Sequence, residues 1–204
     1  FALERPQKLE KSGWMKLLLS SRNLHKLEEI RAILPATITV DPWESDVEIE
    51  ESADTFEGNA LIKAYAGWQQ KGIPCLGEDS GLSVPALGGA PGVLSARFAR
   101  EPRSDFANIQ LLLKQMDGLH DRSAYFTTVL VLVMNGNEFC FEGRVDGRIA
   151  TDIQGEMGFG YDPVFIPEGY DQTFAELGPS IKNHISHRAR ALSKLMAFLN
   201  AFSG

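Results

Sequence analysis

The sequence lacks the features that mark several classes of protein. It holds only two cysteines, Cys75 and Cys140, and neither belongs to a CxxC pair. We therefore expect two small buried thiols rather than a disulfide framework or a cysteine-based zinc site. The longest strongly apolar run, residues 129–134, is far too short to cross a membrane. The chain also opens without a basic and then apolar leader, so we expect a cytoplasmic protein with no membrane partner.

Positive charge is scarce and dispersed. The 20 Lys and Arg residues are outnumbered by 27 Asp and Glu residues, and the formal net charge is −7. Extended binding to nucleic acid needs a basic surface that displaces phosphate counterions, so we expect no nucleic-acid partner. A small anionic ligand remains compatible with this charge if a few cations and a divalent metal converge in one cleft.

Apolar periodicity predicts alternating helices and strands from Met15 onward. The turn Asn135-Gly136 predicts a hairpin, and Asp54 to Glu57 resembles a capping box that opens a helix. We expect an α/β fold with a mixed β-sheet flanked by helices. Residues 1–14 are predicted to be an extension or an expression remnant, and residues 15–204 a single domain. The strands are predicted at 16–20, within 36–52, and at 73–77, 125–134 and 138–148, and the helices at 24–34, 54–70 and 104–116 and from near 186 to the end.

The turn after the first predicted strand is a candidate phosphate seat. A helix begins near Leu24, and its N-terminal N–H groups attract anions. Ser21 and Asn23 can add hydrogen bonds, and Lys26 lies one turn into the helix. The alternative is that Ser21 only caps the helix and that Lys26 is a solvated helix residue.

Acidic residues form a second candidate site. Glu78 and Asp79 are predicted at the carboxyl end of a strand, where α/β proteins bind ligands. Together with Glu51 from an acidic loop, they offer the hard oxygen ligands that magnesium prefers. The alternative is a polar turn in which Asp79 caps backbone N–H groups.

Two segments near the end of the chain could recognise a nucleoside. Residues 155–163 interleave glycines with aromatics, so Phe159 could stack on a purine or, with Tyr161, anchor the core. Residues 182–188 place Lys182, His187 and Arg188 near a predicted helix start. Cations there oppose the helix dipole, which an anionic or carbonyl-bearing ligand would explain. We do not expect the histidines to bind metal, because no zinc-site context surrounds them.

The combination resembles a known family, the inosine triphosphate pyrophosphatases or Ham1-like non-canonical purine nucleotide pyrophosphatases. The matching segments occur in family order and extend over nearly everything from Met15 onward. They are SRNLHK (21–26), TFEGNALIKA (55–64), DSGLSVPALGGAPGVLSARFA (79–99), GFGYDPVF (158–165) and SHRARAL (186–192).

The resemblance implies a fold, a reaction and a set of site residues. The fold would have two lobes with an active-site cleft between them, and the protein would be a homodimer. The reaction would be magnesium-dependent hydrolysis of purine nucleoside triphosphates (ITP, dITP or XTP) to the monophosphate and pyrophosphate. The implied metal ligands are Glu51 and Asp79, with Asp79, Lys26 and Lys63 as catalytic residues. The implied substrate-binding residues are Ser21, Arg22, Asn23, Leu24, His25, Lys26, Ser80, Phe159, Gly160, Tyr161, Asp162, Lys182, Ser186, His187 and Arg188.

The chain departs from the family pattern at three positions. Arg22 stands where glycine is usual, Glu78 where aspartate is usual, and Gly58 where glutamate is common. None of these removes an implied catalytic group, although they leave undetermined which other groups would surround the metal. The alternatives at this stage are a Maf-type pyrophosphatase of different base specificity and a nucleotide sensor without turnover.

Overall fold

The computed structural model describes residues 15–43, 49–100 and 102–202. The predicted extension over residues 1–14 lies outside the described residues. Within the described part of the chain, no helix is long and apolar enough to cross a membrane.

A mixed sheet forms the centre of the fold, as the sequence predicted. It has six strands in the described part of the chain, and the short strand Phe165–Pro167 was not predicted. In spatial order the strands run β2-β1-β3-β4-β5-β6. The first three strands are parallel to one another, and β3 to β6 pair antiparallel. Asn135 and Gly136 both have positive φ, of 52° and 75°, which is the backbone of the tight turn that joins β4 to β5. The strands are β1 (Met15–Ser20), β2 (Ile38–Trp43), β3 (Cys75–Ser83), β4 (Ser123–Met134), β5 (Asn137–Ile149) and β6 (Phe165–Pro167).

In the described ranges, five α-helices cover the two faces of the sheet. Side-chain oxygens of Asn23, Thr55 and Ser104 accept backbone N–H groups at the starts of the first three helices. Two 3₁₀ segments, Pro85–Leu87 and Gly92–Arg97, follow β3. The α-helices are α1 (Leu24–Ile33), α2 (Phe56–Lys71), α3 (Asp105–Gln115), α4 (Phe174–Ile185) and α5 (His187–Phe202).

Two close approaches between glycine and backbone fix the helices on the sheet. A Cβ atom on Gly77 of β3 would lie 1.9 Å from the carbonyl oxygen of Ala60 in α2. A Cβ atom on Gly143 of β5 would lie 2.0 Å from the carbonyl oxygen of His187 in α5. Helix α2 therefore packs directly on one face and α5 on the other, with α1 sharing the apolar core of α5.

Two large apolar cores lie at opposite ends of the long central strands. One contains Leu17, Ile30 and Leu132, with the apolar side of α5. The other contains Leu82 and Phe165, with the buried side of α3. The two lobes implied by the family resemblance correspond to these cores, and β3, β4 and β5 run through both.

Several sequence predictions are wrong in detail. Thr55, not Asp54, caps α2, and the third helical residue is Gly58, so no capping box forms there. Cys75 is buried as expected, whereas Cys140 is exposed on β5. Helix α4 was not predicted, because Gly178, with a φ of 77°, and Pro179 interrupt its pattern.

Candidate active site

The candidate site begins where β1 stops and β3 continues. Ser20, the last residue of β1, pairs with Gly77, so β3 loses its neighbour on that side from Glu78 onward. The sequence placed Glu78 and Asp79 at the end of a strand, but β3 continues to Ser83 through its pairing with β4. The site is therefore at the carboxyl end of β1, with the two carboxylates on the neighbouring strand.

The adjacent carboxylates point to opposite faces of the sheet, as successive residues of a strand do. The Glu78 side chain is completely buried, with Oε1 2.8 Å from Nη2 of Arg188 and Oε2 3.0 Å from Nζ of Lys26. Burial opposes its ionisation, but Arg188 and Lys26 outweigh burial and hold the pKa of Glu78 well below its usual range. Glu78 thus orients two cations and does not line the cleft, which corrects the prediction that it offers oxygen to a metal.

Asp79 lies on the α2 face among groups that hold its carboxylate in place. Lys63 Nζ of α2 lies 3.2 Å from Oδ1 of Asp79, and Asn59 Nδ2 donates to Oδ2 at 3.3 Å. The same Lys63 nitrogen lies 2.8 Å from Oε1 of Glu51. Asn59 in turn accepts the backbone N–H of Ala53 at 3.0 Å, which ties the loop carrying Glu51 to α2.

Burial and charge act differently on the ionisable groups of this cluster. Burial raises the pKa of Asp79, and the nearby Lys63 and Lys26 offset that effect only in part. For Glu51 burial is outweighed by Lys63, and its pKa is lowered. Burial opposes the charge of Lys63, but Asp79 and Glu51 outweigh it and raise the lysine pKa. Of the two carboxylates, Asp79 is therefore the one whose pKa is raised and Glu51 the one whose pKa is lowered.

The predicted phosphate turn has the expected backbone. Asn23 caps α1 by accepting the N–H of Lys26 at 3.2 Å, and its own N–H donates to Ser21 Oγ at 3.1 Å. Asn23 and Arg22, which precede α1, are exposed and line the cleft, so the positive N-terminal end of α1 borders the cleft as a seat for anions. Arg22 lines the cleft in place of the usual glycine and adds a guanidinium beside this seat.

The glycine-aromatic segment forms the other end of the cleft. Asp162 Oδ2 accepts the N–H of Phe159 at 2.9 Å and lies 2.5 Å from Lys182 Nζ, so the loop is fixed to α4. Burial raises the pKa of Asp162, and Lys182 offsets this only in part. The Phe159 ring is partly exposed, stacks on His25 with centroids 5.2 Å apart, and lies 4.6 Å from the Lys182 ammonium. Tyr161 is instead a core anchor, buried and donating its hydroxyl to the Ser95 carbonyl at 2.9 Å.

A buried chain of ion pairs connects the two ends. Glu29 of α1 contacts Lys182 at 2.7 Å and also pairs with Arg188, whose other nitrogen reaches Glu78. Lys182 lies in the last turn of α4, where the helix dipole favours a cation, and not at a helix start as predicted. Arg188 does lie at the start of α5, where the carboxylates of Glu29 and Glu78 offset the unfavourable dipole.

His187 is buried and uncharged. Its ring stacks on Phe126 with centroids 4.7 Å apart, and burial, Arg188 and Lys182 hold its pKa well below the usual value. Nδ1 of His187 and Nε of Arg188 are buried atoms for which the described part of the chain supplies no hydrogen-bond partner.

These groups surround a cleft of about 710 Å³, which is large enough for a nucleotide. Most of the predicted site residues line it. Three predicted contacts do not: Leu24 is exposed, His25 is exposed and stacks on the Phe159 ring without itself lining the cleft, and Ser186 is buried, capping α5 through the N–H of Ala189. The predicted residues that line the cleft are Ser21, Arg22, Asn23, Lys26, Glu51, Lys63, Asp79, Ser80, Phe159, Gly160, Tyr161, Asp162, Lys182, His187 and Arg188.

Sequence reasoning missed several polar residues of the site. Arg97, Arg103 and Asp105 line the cleft, and Asp105 accepts the N–H of Gly160 at 2.7 Å. Glu29 reaches the site from the buried side of the ion-pair chain. Arg97 lies within the family-like segment 79–99, and no local pattern distinguishes it there from a solvated arginine.

The arrangement can bind a polyphosphate and activate water. One end offers an anion seat with Lys26 and Lys63, and the other offers a partly exposed ring with buried polar donors. Between them, Asp79 combines a raised pKa with a fixed orientation, as a general base requires.

Comparisons with known proteins agree with this geometry. The sequence model of the Ham1 family matches residues 17–198. A dITP/XTP pyrophosphatase of Porphyromonas gingivalis is 46% identical over 188 residues, which are 90% of this chain and 97% of that protein. A dITP/XTP pyrophosphatase of Bacillus licheniformis is 43% identical over 198 residues, which are 91% of this chain and 98% of that protein.

Solved structures show the same fold. A Ham1 protein from Coxiella burnetii superposes with a TM-score of 0.83 at 38% identity, over 92% of this chain and 99% of that one. A nucleoside-triphosphatase, dITP/XTP pyrophosphatase, from Mycobacterium abscessus gives a TM-score of 0.72 at 42% identity, over 91% and 100% of the two chains.

Proposed function

The chain belongs to the Ham1 family, and from that premise we propose that it is a nucleoside-triphosphate pyrophosphatase. Its substrates are non-canonical purine nucleotides (ITP, dITP and XTP), which it hydrolyses to the monophosphate and pyrophosphate. Relatives at 43–46% identity carry the name dITP/XTP pyrophosphatase and match this chain almost end to end. The activity removes these nucleotides from the nucleotide pool, and the proposal places it in one domain over residues 15–204.

The observation that carries the proposal is the environment of Asp79. Its carboxylate has a raised pKa, two fixed hydrogen-bond partners and an open cleft beside it. A protein that only senses nucleotides needs the cations of the cleft but no such base.

The carboxylates of the cleft fit a divalent cation. Glu51 and Asp79 already converge on one positive charge, the Lys63 ammonium, so the pair is complementary to a cation. No group of three or more His, Cys, Asp or Glu side chains that could hold a metal occurs in the described ranges. Two oxygen donors completed by water and substrate phosphates are the usual arrangement for Mg²⁺, which we propose as the cofactor. When bound, Mg²⁺ neutralises phosphate charge and polarises the attacking water.

In the proposed mechanism, Asp79 accepts a proton from water as the water oxygen attacks the α-phosphorus. The bond between the α-phosphorus and the α,β-bridging oxygen breaks, and pyrophosphate leaves with that oxygen. Lys26 and Lys63 hold the phosphate chain in line and balance the charge that develops on the leaving group. Asn59 donates to Oδ2 of Asp79, which leaves Oδ1, the oxygen that Lys63 contacts, to accept the proton.

Base selection follows from the buried donors at the opposite end. Inosine and xanthosine carry a 6-oxo acceptor, whereas adenine carries a 6-amino donor. Arg188 can only donate, while the neutral imidazole of His187 can change tautomer and accept. A donor left unpaired by adenine costs about 1–3 kcal/mol, roughly tenfold to a hundredfold in rate. We therefore assign the discrimination against adenine chiefly to Arg188, with Phe159 as the stacking surface.

Product analysis tests the proposed function. Pure protein is incubated with ITP, XTP, dITP, ATP and GTP, with and without Mg²⁺, beside an Asp79→Asn variant. The expected products are monophosphate and pyrophosphate, formed from ITP, dITP and XTP, dependent on Mg²⁺ and lost in the variant. Release of orthophosphate, equal use of ATP, or binding without turnover would contradict the proposal. Turnover of modified pyrimidine nucleotides alone would instead favour a Maf-type activity.

The assembly and location of the protein belong to the same proposal. We propose a homodimer that acts in the cytoplasm, as the family resemblance implies. Light scattering on the purified protein tests the first part, and a mass near 45 kDa, twice the 22.5 kDa of one chain, is the expected result.

A further inference from the structure

Arg97 is a cation of the cleft that neither the sequence motifs nor the proposed mechanism uses. It is the last residue of the 3₁₀ segment Gly92–Arg97 and lines the cleft. Its Nη1 lies 3.6 Å from Oε2 of Glu51, and its side chain is one-third exposed.

The segment that carries Arg97 is held rigidly. The buried Ser95 hydroxyl donates to the Gly92 carbonyl at 2.6 Å and accepts the N–H of Leu82 on β3 at 2.9 Å. The Ser95 carbonyl accepts the hydroxyl of Tyr161. Arg97, two residues further along, therefore starts from a fixed backbone rather than from a freely moving loop.

Glu51 lies between two cations that approach from different elements. Lys63 contacts its Oε1 and Arg97 its Oε2, so both cations lie at the same end of the cleft. Glu51 and Asp79 would hold the divalent cation, and the two basic groups beside Glu51 would then be available to phosphate oxygens. The contact with Glu51 that would bring Lys63 within reach of phosphate would therefore bring Arg97 within reach of phosphate as well.

The order of groups along the cleft decides which phosphates Arg97 meets. Phe159, Lys182 and Arg188 mark the base end, and Asp79 marks the reacting phosphorus. Arg97 contacts Glu51, which shares Lys63 with Asp79, so it lies on the carboxylate side of the cleft, where the proposed mechanism places the phosphate chain. The groups beyond the α-phosphate are the two that leave as pyrophosphate.

We propose that Arg97 binds the β- and γ-phosphoryl groups and stabilises pyrophosphate as it leaves. The planar guanidinium suits this task, because it offers parallel N–H donors to two phosphate oxygens, and one ion pair at 3.6 Å uses little of that capacity. This inference rests on the proposed function, since it names a residue for the leaving group of that reaction.

The affinities for the two products, measured one product at a time, test the inference. Inhibition constants for pyrophosphate and for IMP are measured with wild type, Arg97→Ala and Arg97→Lys. We expect pyrophosphate to bind roughly tenfold to a hundredfold more weakly to Arg97→Ala, as for loss of a charge-assisted pair. Arg97→Lys should be intermediate, and the IMP constant should change less than about twofold.

Arg31→Ala is the matched control. Arg31 pairs with Asp41 at 3.7 Å, an ion pair of the same kind, but it lies outside the cleft. We expect both inhibition constants to stay at wild-type values. Unchanged pyrophosphate binding in Arg97→Ala, or equal weakening of IMP and pyrophosphate, would overturn the inference. Should Arg97→Ala not fold, Arg97→Lys gives the same comparison.

A failure of the proposed function can be distinguished from a failure of the role given to Arg97. Failure of the wild type to release pyrophosphate from ITP contradicts the proposed function itself. Release of pyrophosphate by the wild type, with unaltered pyrophosphate binding in Arg97→Ala, contradicts only the role of Arg97.

Discussion

At the scale of single residues, the site depends on buried charged side chains, each of which contacts side chains of opposite charge. Lys63 is shared by Glu51 and Asp79, and Glu78 is shared by Arg188 and Lys26. Removing one partner leaves the others buried without compensation, which costs far more than breaking an exposed pair.

Lys63→Met tests this dependence. The variant removes the cation that Glu51 and Asp79 share and leaves Asp79 without an ion-pair partner while Arg97 still contacts Glu51, and we expect the free energy of unfolding to fall by roughly 3 kcal/mol. Added Mg²⁺ should restore much of that loss, because the metal replaces the ammonium between the carboxylates. Urea unfolding with and without Mg²⁺ measures both effects.

The control is Lys16→Met, which removes an exposed ion pair to Asp41 at 2.9 Å. Its loss should stay below about 1 kcal/mol and should not respond to Mg²⁺. Equal recovery of both variants with Mg²⁺ would show that the metal does not bind at Glu51 and Asp79.

His187 gives a pH dependence of stability with a defined sign. Its folded pKa lies well below the ordinary value of 6.5, so the unfolded chain binds a proton that the folded protein excludes. The contribution is complete above pH 6.5 and is lost as the pH falls, by up to about 1.4 kcal/mol per pH unit. His187→Gln lacks this titration, so the wild-type advantage in urea unfolding should shrink between pH 7.5 and 5. A constant difference over that range would mean that His187 is not buried in its neutral form.

At the scale of elements, two glycines set the distance from the catalytic helices to the sheet. Gly77 admits the backbone of α2, which carries Asn59 and Lys63, and Gly143 admits the start of α5 with His187 and Arg188. Each end of the cleft therefore depends on its own contact between helix and sheet.

Alanine at the two glycines should damage different properties. Gly77→Ala displaces α2, so we expect kcat for ITP to fall roughly tenfold or more, because misplacing catalytic groups by about 1 Å costs up to a hundredfold. Gly143→Ala displaces α5, and we expect the preference for ITP over ATP in kcat/KM to narrow. Each variant is the control for the other. Equal effects of both variants on rate and on preference would contradict this division.

The helix-sheet alternation was largely predictable, because apolar periodicity records which face of an element is buried. Helix α4 could not be predicted in this way, because Gly178 and Pro179 interrupt its apolar periodicity and its formation depends on tertiary packing. The start of α2 was displaced by one residue because Asp54 and Thr55 are both good caps. The continuation of β3 past Glu78 depends on pairing with β4, which no local pattern reports.

At the scale of the whole molecule, the chain has a net negative charge, but the basic side chains of the site gather in one cleft between the two apolar cores. The family-matching segments predicted most of that cleft, because they occupy the strand ends and helix starts that surround it. Arg97, Arg103 and Glu29 could not be predicted, because they reach the cleft through the packing of separate elements. The stacking of His25 on Phe159 joins two distant segments of the chain and likewise could not be predicted.

The central claim is that water attacks the α-phosphorus and that pyrophosphate leaves. Hydrolysis of ITP in ¹⁸O-labelled water, followed by mass spectrometry of both products, tests it most directly. The account predicts one ¹⁸O atom in the inosine monophosphate and none in the pyrophosphate. Label in the pyrophosphate, with unlabelled monophosphate, would place the attack on the β-phosphorus and contradict the role given to Asp79.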